Sequence, residues 1–216
     1  MTYSRENPSP RYRELTALYR RMHEEGIPEE GRRPEATFPG ESLRPHLRRI
    51  KGLIQRTGAR TVLDYGSGKG LQYQPTRLEL DGEVWPGVQA YWGVEQIYCY
   101  DPSYEPLSLL PRWTFDGVIC TDVLEHCPEE DIPWILEEIF SFARRFVYAN
   151  IASFPAHKTL PNGENAHCTI RPAEWWLEQV RAIGPKVAFE LIVTTKTVDE
   201  AGKSRYRSRV ITNLPA

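Results

Sequence analysis

The residues whose types and spacing are most suggestive of chemistry form the run Asp64-Tyr65-Gly66-Ser67-Gly68-Lys69-Gly70. Glycines at a strand-to-helix turn let the backbone approach a ligand closely, and a helix that begins there offers free N–H groups. A dinucleotide fingerprint needs a glycine at position 71, where Leu71 stands, so a nicotinamide-dependent dehydrogenase is disfavoured. The acid ahead of the glycines would repel a pyrophosphate but could hold a cationic ammonium group. The run therefore predicts a turn that binds a ligand with a cationic ammonium group.

Histidines form the second set of candidates. His157 and His167 lie in a polar segment, 152–168, that follows a strand-like run. Ligands in open α/β sheets bind outside the carboxyl ends of the strands, so this segment is expected to face the reacting molecule. An imidazole has a pKa near 6.5 and can take a proton from an attacking hydroxyl or amine. His167 is our first candidate for a general base and His157 the second, and His126 is a further catalytic candidate.

The elements that must position these residues alternate between strands and helices after residue 57. Alternation of this kind predicts an α/β fold, a Rossmann-like, mainly parallel sheet with helices on both faces and a C-terminal antiparallel hairpin. Before it, a helix at 11–26 and a polar loop at 27–41 predict a helical N-terminal cap or lid over 1–42, and 43–216 form the main domain. The expected elements are a helix at 43–57 capped by Ser42, strands at 60–64, 97–101, 115–120 and 146–151, helices at 132–143 and 172–183, and hairpin strands at 189–197 and 205–213.

Taken together, these motifs resemble the class I S-adenosylmethionine-dependent methyltransferases, in the subgroup with a Leu-Glu-His sequence. The first motif of that family has the D-x-G-x-G form, and residues 115–126 are similar to its fourth strand and the turn after that strand. The resemblance implies S-adenosyl-L-methionine as cofactor, with Asp64 facing its amino group and Asp101 binding its ribose hydroxyls. The other residues that it places at the cofactor are Gly66, Ser67 and Gly68 along the methionine portion, and Thr121, Asp122 and Val123 on its flank.

The sequence departs from this family in two places, and one alternative for the site stays open. Residues 71–95 are expected to be an insertion, and the stretch from 102 to 114 is too short for a helix and a strand. In some methyltransferases a run similar to Asp122-x-x-Glu125-His126 binds a divalent metal, and carboxylates with one imidazole suit Mg²⁺, Mn²⁺ or Zn²⁺. We favour the interpretation that these residues cap a helix and close the site, with no metal.

Composition limits the choice of acceptor. The chain has 216 residues and a net charge of −2, and its basic excess is confined to the first 60 residues. A nucleic-acid partner is therefore disfavoured. We expect methyl transfer to an O or N atom of a small-molecule or glycan acceptor. The alternatives are an RNA methyltransferase that uses the basic N-terminal segment and a non-catalytic S-adenosylmethionine-binding protein.

The same features bear on location and assembly. No apolar run is long enough to span a membrane, and the start of the sequence lacks the apolar core of a secretory signal. The four cysteines have no CxxC spacing and are expected to be reduced and mostly buried. We expect a soluble, cytoplasmic protein without a membrane partner, and a homodimer is left open.

Overall fold

The fold centres on one six-stranded sheet, described here from a computed structural model that covers residues 2–28, 31–199 and 202–215. The strands are β1 (Thr61–Tyr65), β2 (Leu78–Leu80), β3 (Glu83–Trp85), β4 (Gln96–Tyr100), β5 (Phe115–Thr121), β6 (Ala143–Ser153), β7 (Ala188–Val198) and β8 (Ser204–Thr212). The helices are α1 (Pro10–Glu25), α2 (Leu47–Thr57), α3 (Val88–Trp92), α4 (Ile132–Phe142) and α5 (Ala173–Ile183). The sheet order is β4-β1-β5-β6-β7-β8, in which only β8 runs antiparallel to its neighbour. The predicted fold class is confirmed.

Helices cover both faces of this sheet because successive residues of its strands point to opposite sides. Leu63 and Val118 pack with α4 and α5 in the larger core, and Val62 and Ile119 pack with α2 and α3 in the other. All seven residues of β5 are buried, as expected for a central strand with both faces covered. This burial fixes the carboxyl end of β5, and with it the turn that carries Asp122.

The N-terminal segment is anchored to the α4 side of the sheet. Ser9 caps α1 through its hydroxyl, which accepts a hydrogen bond from Tyr12 N, and the same hydroxyl donates to the buried Asp131. The Arg5 guanidinium pairs with Glu138. A third, smaller core joins α1 to the segment after β6 through Leu15, Met22, Ile27, Leu160 and Ala166. The division at residue 42 stays a prediction.

Two expected helices differ from the structure, in each case because of a proline. Ser42 does not cap a helix at 43–57, since Glu41–His46 forms a 3-10 turn and α2 begins at Leu47. Pro45 disfavours α-helical geometry in the residue before it, which delays the helix. No α-helix comes after the glycine run either: Leu71–Tyr73 is a single 3-10 turn, and Pro75 lacks the N–H that would continue it.

The remaining departures concern the connections and the cysteines. The predicted insertion contains the hairpin β2–β3 and α3, and residues 102–114 hold one 3-10 turn, Glu105–Leu107, and no strand. All four cysteines are free thiols, but the expectation that most are buried is wrong: Cys120 is buried, Cys99 and Cys127 are half-buried and Cys168 is exposed.

Among the described helices, none combines the length and apolar character needed to cross a bilayer.

Candidate functional site

A cavity of about 550 Å³ opens where β1, β4 and β5 end, beneath α1 and the segment before α2. Its size is in the range of small-molecule sites. Every residue that the sequence analysis named as a catalytic or cofactor-binding candidate lines this one cavity: Asp64, Gly66, Ser67, Gly68, Asp101, Thr121, Asp122, Val123, His126, His157 and His167. The structure therefore brings these residues together, while the role of each stays a prediction.

The glycine run forms a tight turn held by the neighbouring strand. Gly66 N and Ser67 N both donate to Tyr100 O, at 2.7 and 3.0 Å. Gly66 has φ +86°, and a Cβ there would lie 2.4 Å from Val123 Cγ2, so only glycine fits at this position. Gly66, Ser67 and Gly68 line the cavity, so the backbone of this turn forms part of its wall.

Asp64 is the most unusual acid of the site. It is buried, and its Oδ2 accepts hydrogen bonds from Tyr73 Oη at 2.7 Å and Gln72 Nε2 at 3.1 Å, but its Oδ1 has no partner. Burial raises the pKa of Asp64 to about 7, and the nearby Asp101 carboxylate acts in the same direction. A buried carboxylate that belongs to a cavity-lining residue and has one oxygen without a partner is suited to bind a cationic group.

Asp101 holds the glycine turn in place. Its Oδ2 accepts a hydrogen bond from Gly68 N at 2.9 Å, and its Oδ1 accepts from Ser103 N at 2.9 Å and Ser103 Oγ at 2.6 Å. Burial raises the pKa of Asp101, although these hydrogen bonds oppose the shift. Each oxygen has two lone pairs, so Oδ2 can still accept a hydrogen bond from a hydroxyl in the cavity.

The turn after β5 places Asp122 at the cavity and buries Glu125 in the protein interior. Asp122 has φ +62° and is exposed to the cavity, whereas Glu125 is completely buried and accepts a hydrogen bond from Ala152 N. Burial, with a smaller effect from Asp122, raises the pKa of Glu125 well above its ordinary value. Glu125 does not line the cavity, so the structure does not present the alternative ligand set of Asp122, Glu125 and His126 as a unit.

Two of the three candidate histidines form a pair. The rings of His126 and His167 meet edge to face with centroids 4.7 Å apart, and His167 is buried while His126 is half-buried. His126 Nδ1 lies 2.9 Å from Ala166 O, and His167 Nδ1 lies 2.6 Å from Phe154 O. Burial lowers the pKa of His126 to about 4. His157 also lines the cavity but is exposed.

Residues of the N-terminal segment line the cavity beside the glycine turn. Phe38, with φ +50°, lies so close to Gly68 that a Cβ on the glycine would be 3.0 Å from the Phe38 Cβ. His23 stacks between Phe38 and Tyr104, at centroid distances of 4.4 and 4.9 Å, and its Nδ1 has no partner. Burial, assisted by Lys69, lowers the pKa of His23 to about 4. His23 and Phe38 of the N-terminal segment therefore form aromatic walls of the cavity.

Sequence reasoning missed Gln72 and Tyr73, the two donors to Asp64. The expectation of an α-helix after the glycines would carry these side chains away from the strand, whereas the 3-10 turn returns them to it. Pro75 was the available signal, since it prevents a helix from continuing past residue 74.

Comparisons with known proteins leave the family open. No protein-family model matches the chain, and no curated protein matches it. Among solved structures, the "DhpI-SAH complex structure" is similar over 94% of this chain and 81% of that one, with 13% identity and a TM-score of 0.35. A similarity this weak does not indicate a shared function, so the residues of the site itself are the basis for the function proposed below.

Proposed function

We propose that this protein is an S-adenosylmethionine-dependent methyltransferase that acts on an O or N atom of a small-molecule or glycan acceptor. The observation that carries the proposal is the unpartnered, buried Asp64 Oδ1 beside a glycine turn and a second buried acid, Asp101. A buried acidic pair of this kind favours a ligand that brings both a cation and hydroxyl donors. S-adenosylmethionine has an ammonium group, a sulfonium and two ribose hydroxyls.

The donor would be held by residues that the strands already fix. Asp64 would accept a hydrogen bond from the ammonium group, and Asp101 Oδ2 would accept one from a ribose hydroxyl while retaining Gly68 N. The turn at Gly66 would allow the methionine portion to lie against the backbone, with Val123 packed behind the turn. When bound, the cofactor supplies an electrophilic methyl group on sulfur. Orientation of that group towards the acceptor would account for much of the rate acceleration.

The acceptor would lie on the histidine side of the cavity. Because carbonyl oxygens only accept hydrogen bonds, Nδ1–H is the donor in the contacts of His126 and His167, and a neutral imidazole with its proton on Nδ1 has a free lone pair on Nε2. These lone pairs can receive the acceptor's proton or hold a cation that acidifies the acceptor. His157, at the exposed side of the cavity, can pass a proton to solvent.

The covered cavity favours a small acceptor over a nucleic acid. Tyr12, Leu15 and Tyr19 of α1 and Phe38 form walls of the cavity, so an acceptor must enter it as a compact group. Such a covering also excludes water from the sulfonium donor. A small molecule or the end of a glycan meets this requirement.

The test is a calorimetric titration with S-adenosylmethionine, S-adenosylhomocysteine and NAD, and then an assay for transfer of labelled methyl groups to mixed small-molecule acceptors. We expect both adenosyl ligands to bind and NAD not to bind. Binding of NAD alone, or of no ligand, would overturn the proposal. Adenosyl binding without transfer to any acceptor class would favour a non-catalytic binding protein, and salt-dependent transfer to RNA would favour the RNA enzyme.

A further inference from the structure

We propose that Asp122, His126 and His167 form a binding site for one divalent transition-metal cation, such as Zn²⁺, on the acceptor side of the cavity. The three residues each offer one ligand atom, and these atoms lie within 4.8 Å of one another. Metal–ligand bonds to imidazole and carboxylate are about 2.0–2.2 Å long, so side-chain movements of about 1 Å would complete the site. This set differs from the alternative ligand set of the sequence analysis, Asp122, Glu125 and His126, because His167 takes the place of Glu125.

The hydrogen bonds of the two histidines favour metal binding. A metal-binding histidine commonly donates its other ring N–H to a backbone carbonyl or a carboxylate, which fixes the tautomer and the ring orientation. Here Ala166 O takes His126 Nδ1–H and Phe154 O takes His167 Nδ1–H. Tyr19 Oη adds a second contact, 2.7 Å from His126 Nδ1 and 3.1 Å from Ala166 O. Both imidazoles are thus held with Nε2 available as a ligand.

Asp122 is held towards the same point by its backbone. A left-handed φ of +62° is costly for a residue with a side chain, and such strain persists at functional sites where the surroundings impose it. Here Asp122 N donates to Asn150 O of the adjacent strand, which secures the turn. The carboxylate lines the cavity and belongs to no ion pair among the described residues. It can therefore supply the anionic ligand.

The ligand types select the class of cation. Two imidazoles and one carboxylate suit Zn²⁺, Fe²⁺ or Co²⁺, whereas Mg²⁺ and Ca²⁺ prefer oxygen ligands. Three protein ligands leave a position open, which is the arrangement of catalytic zinc sites. A cation here would lower the pKa of an acceptor hydroxyl placed against it, which favours an oxygen acceptor. That role depends on the proposed function, but the site itself does not.

The experiment is a titration of chelator-treated protein with Co²⁺, monitored by its visible d–d absorption, and with Zn²⁺ in competition. We expect one Co²⁺ per chain, displaced by equimolar Zn²⁺ and not by millimolar Mg²⁺. Asp122→Asn, His126→Gln and His167→Gln should each weaken Co²⁺ binding at least about 10-fold. Circular dichroism of each variant checks that the fold is retained.

Two variants serve as matched controls. His157→Gln removes an imidazole from the same cavity, and Cys168→Ser removes an exposed thiol next to His167. Both should bind Co²⁺ within about 2-fold of the unaltered protein. Absence of stoichiometric Co²⁺ binding, or its retention in His167→Gln, would overturn the metal site.

A parallel titration with S-adenosylmethionine separates the two proposals. Adenosyl binding without metal binding overturns only the metal site. Metal binding without adenosyl binding supports the metal site and overturns the proposed function.

Discussion

The two halves of the cavity are built in different ways. The half proposed to hold the methyl donor, the donor half around Asp64 and Asp101, is formed by the ends of adjacent strands and by one turn of the chain. The half proposed to hold the acceptor, the acceptor half, combines α1, Phe38 and the segment after β6, which are far apart in sequence and share a small core of their own. The donor half is thus fixed by sheet register, whereas the acceptor half depends on docking of the cap. Changes in one half should therefore leave the other nearly intact.

The largest effect should come from Asp64→Asn, which removes the charge from the donor half. An ammonium group buried without its anionic partner costs about 3–5 kcal/mol, so S-adenosylmethionine affinity should fall at least about 100-fold. Isothermal titration calorimetry measures this change.

The Asp64→Asn variant should be more stable than the unaltered protein, although it binds S-adenosylmethionine more weakly. The pKa of Asp64 is about 7 in the fold and about 3.9 in an unfolded chain. The stabilisation from protonated Asp64 is fully present below its pKa in the unfolded chain, and it is lost as the pH rises through its pKa of about 7 in the fold. Urea unfolding at pH 8 should therefore show Asp64→Asn to be more stable by about 1 kcal/mol or more. A less stable variant would mean that the carboxylate supports the fold.

Gly66→Ala tests whether the turn geometry, rather than charge, limits donor binding. The new Cβ would meet Val123, and φ +86° costs an L-residue about 1–2 kcal/mol. Donor affinity should fall at least about 10-fold. In the Gly66→Ala/Val123→Ala double variant the contact is relieved but the strain remains, so affinity should recover only in part. Complete recovery would show that the backbone conformation is not a constraint.

The pH dependence of donor binding should be smaller and specific to Asp64. A cationic ligand binds the carboxylate form, so affinity should rise about 10-fold from pH 6 to pH 8, where the group ionises. Below pH 7 binding should release a proton, which titrations in buffers of different ionisation enthalpy detect. Asp64→Asn should abolish the dependence, and a slope that persists in this variant would assign it to another group.

The contrast between the halves also explains what the sequence could predict. Apolar strand runs and the spacing of Asp64, Gly66 and Gly68 are local signals, so the sheet and the donor turn were predicted from them. The contact between His126 and His167 joins residues 41 positions apart through the packing of a loop. Sequence placed both near the ends of strands, but their ring-to-ring contact depends on tertiary packing, which spacing does not encode.

The smallest effect on donor binding should come from Ser9→Ala, which loosens the acceptor half. This change removes the cap of α1, worth about 1 kcal/mol, and a hydrogen bond to buried Asp131. Limited proteolysis of α1 should accelerate several-fold, while donor affinity stays within about 2-fold. Ser4→Ala is the control, because the half-buried Ser4 hydroxyl bonds only to Glu6 and Asn7 of its own segment, and it should change neither. A parallel loss of donor affinity in Ser9→Ala would show instead that the cap binds the donor, through the contact of Phe38 with Gly68.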